Sequence, residues 1–518
     1  MRAAVLATVA IGIGFGIASV SGVGSRQPVT GDEAIILSVS ETLARESRLG
    51  APIFAGVGNA ERHYFASLPL IHVLHWPVLR VFGAGMRQAR VVSVLLVLAG
   101  VTVLSVQVWR GGNDVAALTL VVALLLWRSD LIGVGWGLPL HSVARSARYD
   151  GAQVAWLALS VAGLRWWLIR PTRWRGLLLG GIAGASVLTH FLGVIAPATI
   201  LLSWIFAGGD RPGWRRSAWV VLGFFVVLAP YAAFLLVNRA DAAAQFAAIH
   251  AARADAAIGG AAALRNLLGE PDRYAHLLRT PSPGTLITLL CMPVVAWWIR
   301  RNWSGRDSLW ARVAAANLVA ALGLLLLFEP TKAPLYALPL IVPVSLVLAH
   351  AAGNAYAGGG LQRRLLGVIL LAVCMEGAAA VALDWRAGRA TRTYNDISSA
   401  IADATRNGGP AVGATRWWWS QRERGYVPFV TLRYRARLEA PGGSESGLGR
   451  VWATAGIGYV LRTPEFDADV ERSGIGDAEL VARVLRECGR SVLRFDDSTW
   501  GPVEVFALSR PCPALPGS

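Results

Sequence analysis

The chain has 518 residues, 54% hydrophobic and only 16% charged, and its net charge of +17 is carried by arginine, with Lys332 the one lysine among 49 basic residues. Apolar stretches of membrane-spanning length recur from residue 3 to residue 384, which excludes an ordinary water-soluble fold. The positive charge gathers in short loops between those stretches, where it orients a chain in a bilayer, so no nucleic-acid partner is expected.

The first apolar run, Ala3 to Val23, reads as a retained span rather than a cleaved leader, because it is long enough to cross and no small-x-small cleavage site follows it. Residues 24–89 then form a large first outer loop. Further spans are predicted at 90–109, 115–134, 150–169, 218–237, 285–299, 313–328, 335–352 and 365–384. The run 176–207 carries arginines at both ends, so an even number of crossings fits: two short helices hinged near Thr189-His190-Phe191-Leu192-Gly193. About 11 transmembrane helices result. Arg110, Arg170, Arg173, Arg215, Arg216, Arg300, Arg301, Arg363 and Arg364 mark the cytoplasmic loops. Parity then puts Asp32, Asp150, Lys332, a second outer loop at 238–284 and the tail on the opposite face of an inner (plasma) membrane.

From Trp385 the apolar runs stop. Short β-like stretches (Ala411 to Thr415, Val451 to Ala455, Gly458 to Leu461, Ser491 to Phe495, Val503 to Leu508) alternate with helical ones (Asp396 to Arg406, Asp477 to Glu487). The fold class expected is therefore an all-α polytopic membrane domain, 1–384, followed by a small extracytoplasmic α/β domain, 385–518. Arg433, Arg435 and Arg437 alternate and would share one face of a strand. Trp417-Trp418-Trp419 suits the bilayer surface, an acceptor groove or the core of the tail. Four cysteines make no framework and no zinc spacing, but Cys488 and Cys512 lie where an oxidising compartment would allow a bridge.

Charged residues at the outer ends of spans are the site candidates. Asp32 and Glu33 open an amphipathic helix, where the macrodipole alone would also favour carboxylates. Asp150 enters the fourth span near its outer end, where an unpaired carboxylate is costly, so it should pair with Arg148, Arg145 or an acceptor group. A chain that uses arginine everywhere else keeps Lys332 for a compact ammonium, or as a snorkelling residue at a helix end. Tyr336 follows it by four residues, and His190 sits at the hinge as a core histidine or a ligand. Arginines in the 238–284 loop suit a lid over the site or a plain solvated helix.

The order of short motifs carries a resemblance. Asp32-Glu33, then Tyr64-Phe65 with Pro69-Leu70, then Phe82-Gly83, Ala89-Arg90 and Ser93, then Ala147-Arg148-Tyr149-Asp150, Leu188-Thr189-His190 and Lys332-Ala333-Pro334-Leu335-Tyr336 follow one another along the membrane region. In this the chain resembles the GT-C fold glycosyltransferases of the protein O-mannosyltransferase and aminoarabinose (lipid A) transferase superfamily. Where many of those carry a Lys-Pro-Pro-Leu segment, this chain has Ser67-Leu68-Pro69-Leu70. The resemblance implies transfer of a sugar from a polyprenyl-phosphate donor to a lipid, glycan or protein acceptor. Such chemistry needs a base for the acceptor proton and cations for the phosphate. Asp32 is the expected base, with Glu33 in support and Asp150 as the third catalytic carboxylate. Lys332, Arg148, Tyr336, Tyr64, Arg90 and His190 are the expected substrate-binding residues. Displacement is expected to invert, without cofactor or metal, a divalent ion being the alternative. A flippase for lipid-linked sugars and a non-catalytic scaffold are the rival readings.

Overall fold

The computed structural model describes every residue except 1, 25–28, 129–137, 209–211, 251–259, 273–274, 276–282, 305–306, 331–332, 388–391, 407, 440–444, 498 and 516–518. Lys332 therefore lies outside the described residues, as do Arg253, Arg273 and Arg279 of the second outer loop. Among the described residues, seven helices are long and apolar enough to cross a membrane: the first, then Met86–Trp109, Tyr149–Ile169, Trp214–Val237, Ser308–Phe328, Pro334–Ala357 and Gly360–Ala387. Asp114–Leu125, Arg173–Thr189, the run 191–206 and Pro283–Arg301 complete the expected set.

We label the helices in chain order as α1 (Arg2–Val20), α2 (Gly31–Glu46), α3 (Leu70–Phe82), α4 (Met86–Trp109), α5 (Asp114–Leu125), α6 (Pro139–Ala144), α7 (Tyr149–Ile169), α8 (Arg173–Thr189), α9 (Ile195–Phe206), α10 (Trp214–Val237) and α11 (Arg239–Gln245). The predicted hinge is real: α8 ends at Thr189, a 3-10 turn covers Phe191–Val194, and α9 continues from Ile195. Gly193 is obligatory there, since a methyl group on it would lie 1.9 Å from the Ser186 carbonyl oxygen. The span expected at 335–352 starts with a 3-10 run, Pro334–Leu340, because two prolines in it withhold amide donors. Helix α10 touches the bundle chiefly through α8, and the contact is close because Gly180 and Gly223 present bare backbone to Val220 and Leu177. The arginine-bearing ends, such as that with Arg165 on α7 and Arg170 just after it, lie opposite the end that carries Arg148 and Asp150.

The tail holds a five-stranded sheet in the order β2-β1-β3-β5-β4, with β1 Ala411–Gly413, β2 Val427–Pro428, β3 Tyr459–Arg462, β4 Gly489–Asp497 and β5 Gly501–Leu508. Strand β1 runs parallel to β2 and β3, while β5 is antiparallel to both β3 and β4. Two expectations are corrected. Val451 to Ala455 falls largely in a helix, Glu445–Thr454, and the three alternating arginines lie on the helix Phe429–Glu439. An Arg-x-Arg-x-Arg pattern fits either period, and here Arg433 and Arg437 share a helical face while Arg435 packs on Gly56 of the first loop. Cys488 and Cys512 are bonded, with Cα atoms 5.6 Å apart.

One hydrophobic core joins the tail to the first long loop: Ala34, Leu37, Ile53, Phe54 and Tyr64 pack with Trp417, Phe429, Leu432 and Trp452. Trp417 is 1% exposed and stacks on Tyr394, ring centroids 5.3 Å apart, and Trp418 is buried beside it, so these two belong to that core, with Trp419 half-buried against it. The membrane helices have a separate core built on α4, α5, α7 and the helices Ser308–Phe328 and Ile341–Ala357.

Candidate functional site

Thr30 caps α2 through a reciprocal box: its hydroxyl accepts from the Glu33 amide at 3.3 Å, and Glu33 Oε2 accepts from the Thr30 amide at 3.1 Å. Glu33 does more than cap. Its Oε1 takes Arg90 Nε at 2.8 Å and the Ala147 amide at 2.7 Å, and its Oε2 takes Arg90 Nη2 at 2.8 Å. Arg90 Nη1 donates to the Val23 carbonyl at 2.6 Å. Burial alone would raise the Glu33 pKa, but the Arg90 charge and these donors hold it below the ordinary carboxylate value. Both side chains are 0% exposed. Enclosed and bound to one another, Glu33 and Arg90 fasten the segment after α1, the start of α2, the beginning of α4 and the 145–148 loop to one another.

That knot sets Arg148 beside Asp32. Arg148 Nη2 lies 2.8 Å from Asp32 Oδ2, and its Nε lies 2.9 Å from Asp150 Oδ2, so one guanidinium bridges carboxylates from two distant segments. The second contact is close enough for an ion pair but off the line of a hydrogen bond, and neither Nε nor Oδ2 has a hydrogen-bond partner among the described residues. Burial pulls the Arg148 pKa down, yet Asp150 and then Asp32 outweigh it and hold it above its ordinary value. Asp150 is 6% exposed, whereas the Asp32 side chain is 43% exposed, so Asp32 is the accessible carboxylate of the two.

Beside this bridge stands a stack of rings. His190 lies 4.2 Å from Tyr149, nearly parallel, and 4.2 Å from Phe191, with Tyr336 at 6.2 Å. The Arg148 guanidinium sits 5.7 Å above Tyr149. His190 Nδ1 accepts from the Leu192 amide at 3.3 Å, which assigns the ring proton to Nε2. Tyr64 is buried against Phe54, and burial first, then the nearby Tyr434 and Asp32 charges, push its hydroxyl well above the usual tyrosine pKa, so it stays a proton donor.

Three features escaped the sequence reading. Arg145 pairs with Asp384 rather than with Asp150, and His141 lies 3.5 Å from the same carboxylate and 3.1 Å from Ser19 Oγ, joining α1 and α6 to the end of the last long helix. A lone aspartate at the close of an apolar run was the available signal. Second, Gln245 donates to the Gly58 and His63 carbonyls and accepts from the Phe65 amide, while Asp241 binds Asn59 and His63, so residues 239–245 are clamped to the first loop. Third, Ser40 donates to the Ile36 carbonyl and must therefore accept from both His72 Nδ1 (3.1 Å) and His75 Nδ1 (3.2 Å), leaving His72 Nε2 to accept from Ser67.

The last network predicts a pH effect. Burial lowers His72 to about 3 and His75 to about 4, against 6.5 when unfolded. Unfolded chain takes up protons below about pH 6.5 that the folded protein refuses, so stability is full above that pH and is lost as pH falls from about 6.5 toward 4. The thermal midpoint should drop over that window, and His75→Gln should flatten the drop; an unchanged slope in the variant refutes the assignment.

Among the described residues no group of three or more His, Cys, Asp or Glu is placed to hold a metal ion. The bundle, its charged cluster at one end and the α/β tail seated on the first loop define a polytopic membrane protein of the GT-C fold. ArnT from Cupriavidus metallidurans, crystallised bound to undecaprenyl phosphate, is similar to it with a TM-score of 0.60 at 16% identity, over 98% of each chain. The oligosaccharyltransferase of Archaeoglobus fulgidus, tethered to an acceptor peptide containing the NVT sequon, is similar at a TM-score of 0.58 and 12% identity over 97% of this chain and 74% of that one. AglB of the same organism, in complex with an inhibitory peptide and a dolichol-phosphate, gives 0.55 at 11% identity, with 97% and 74% covered. No family model and no curated protein matches the sequence.

Proposed function

We propose that the protein is an integral membrane glycosyltransferase that moves a sugar from a polyprenyl-phosphate donor to an extracytoplasmic hydroxyl acceptor. The observation that carries this is the bridge Asp32–Arg148–Asp150, which gathers an accessible carboxylate and a guanidinium at one end of a GT-C bundle. Asp32 is the base. Its Oδ2 is on Arg148, and Oδ1 has no partner among the described residues, so Oδ1 takes the acceptor proton. The acceptor oxygen forms its bond to the anomeric carbon from the face opposite the phosphate. The bond from that carbon to the phosphate oxygen breaks, and its electron pair leaves with the polyprenyl phosphate, giving inversion. Arg148 and Lys332 hold the departing charge. Tyr64, Tyr336 and His190 are the further substrate-binding residues of this reading, and Asp150 keeps Arg148 in place.

The arginine-rich helix ends opposite the site favour an extracytoplasmic active site, and the Cys488–Cys512 bridge favours an oxidising compartment for the tail. The catalytic unit is 1–384, with 385–518 seated on it. Because both carboxylates are already paired with Arg148, we take the reaction to be metal-independent.

Radiolabelled polyprenyl-phosphate sugars supplied to sealed vesicles of each orientation test the reading. Chelator-resistant transfer on the extracytoplasmic side is expected; movement of intact donor across the bilayer without transfer would instead identify a flippase.

A further inference from the structure

Gln153 lies one turn into α7 from the bridge, 2% exposed, and among the described residues neither its Oε1 nor its Nε2 has a hydrogen-bond partner. Both ends of a buried amide are thus left unsatisfied inside a membrane helix, where water is not at hand to replace a partner and the penalty is large. Three residues earlier, Asp150 Oδ2 is also buried and lacks a donor. Both groups stand in the first two turns of α7. At about 100° per residue Gln153 is about 40° from Tyr149 and about 60° from Asp150 round the helix, so it shares the face that meets His190. Helical side chains lean toward the N-terminus, which carries the amide back over the turn that holds Tyr149 and Asp150.

We propose that Gln153 and the Asp150 carboxylate form a buried subsite for the ring hydroxyls of the donor's sugar, an inference that rests on the donor reading above. The chemistry is matched. An amide offers two N–H donors and a carbonyl acceptor in one plane, a carboxylate offers acceptors, and vicinal hydroxyls supply one of each per oxygen. The sugar itself would then complete the hydrogen bonding that the resting protein lacks. Gln153 is thereby a specificity-determining residue that reads whether the carrier is loaded.

The test is binding of two probes to the full-length protein in nanodiscs: polyprenyl phosphate, and the same carrier bearing one hexose. The wild type should prefer the loaded carrier. Gln153→Met, of nearly the same shape, should weaken the loaded carrier about tenfold, leave the bare carrier unchanged, and keep or raise the thermal midpoint, because an unpaired buried amide is gone. Gln153→Leu should do the same and covers the case in which one variant fails to fold. Equal affinities of variant and wild type for the loaded carrier would mean that only water occupies the subsite, and would overturn the proposal. A lowered midpoint with both probes weakened would make Gln153 structural and overturn it too. A wild type that binds both carriers equally refutes the sugar subsite alone, whereas one that binds neither refutes the donor reading and this inference with it.

Discussion

Asp32→Asn is expected to abolish detectable sugar transfer while the protein still folds, inserts and binds polyprenyl phosphate. The substitution keeps the shape of the side chain and an acceptor for Arg148 Nη2, which stands 2.8 Å from Oδ2 in the wild type, so the bridge persists in weakened form. It removes the one property a general base must have. Base catalysis is worth about 10²–10⁴-fold, and an amide cannot take a proton from a hydroxyl at neutral pH, so the rate should fall by at least the lower figure. Initial rates of transfer, the thermal midpoint and affinity for bare polyprenyl phosphate, taken together, separate this from misfolding. Transfer at the wild-type rate would remove Asp32 from the mechanism; loss of carrier binding along with rate would show that the carboxylate acts through Arg148 and not on the acceptor.

Arg148 makes the opposite kind of demand. Arg148→Lys keeps a charge but loses the planar fork, so a single ammonium could not span Asp32 and Asp150 as the guanidinium does. The geometry explains why the chain, so rich in arginine, uses it here.

Which parts of this were legible follows from what sets them. Spans such as α4 and α7 are fixed by local hydropathy and by the arginines at their ends, and these are properties of single segments. The hinge at His190 was legible for the same reason, because charge at both ends of one run forces a turn inside it. The tail helix Phe429–Glu439 was not, since alternating arginines have no period that separates strand from helix, and its docking on Gly56 and Ile53 of the first loop decides the matter. At the site, Asp32 and Arg148 were nameable from sequence, but their pairing depends on Glu33 reaching the Ala147 amide across the fold. The burial of Arg90 against Glu33 was not legible for the same reason: a basic residue at a span's mouth looks the same in sequence whether it faces a ligand or a buried glutamate. Gln153 left no signal in the sequence, for an uncharged amide inside an apolar run becomes conspicuous only when its partners can be counted.

Glu33→Gln should be the most destabilising change near the site. Arg90 is 0% exposed and would lose the Glu33 carboxylate that pairs with it, and breaking a buried pair from one side costs about 3–5 kcal/mol. A carboxylate that accepts from Arg90, Ala147 and Thr30 also becomes an amide with a single acceptor oxygen, so at least one of those donors is stranded. The double change Glu33→Met with Arg90→Met removes both charges and fills similar volume, which for buried pairs is often neutral. It should therefore melt well above either single variant. Its transfer rate should nevertheless stay far below wild type, because nothing then holds the Ala147 amide and with it the approach of Arg148 to Asp32. Stability recovered without activity would identify the buried pair as the device that positions the base. A double variant no more stable than Glu33→Gln would show that the pair is held for its own attraction, and one that recovers both stability and turnover would show that the 145–148 loop finds its place without it.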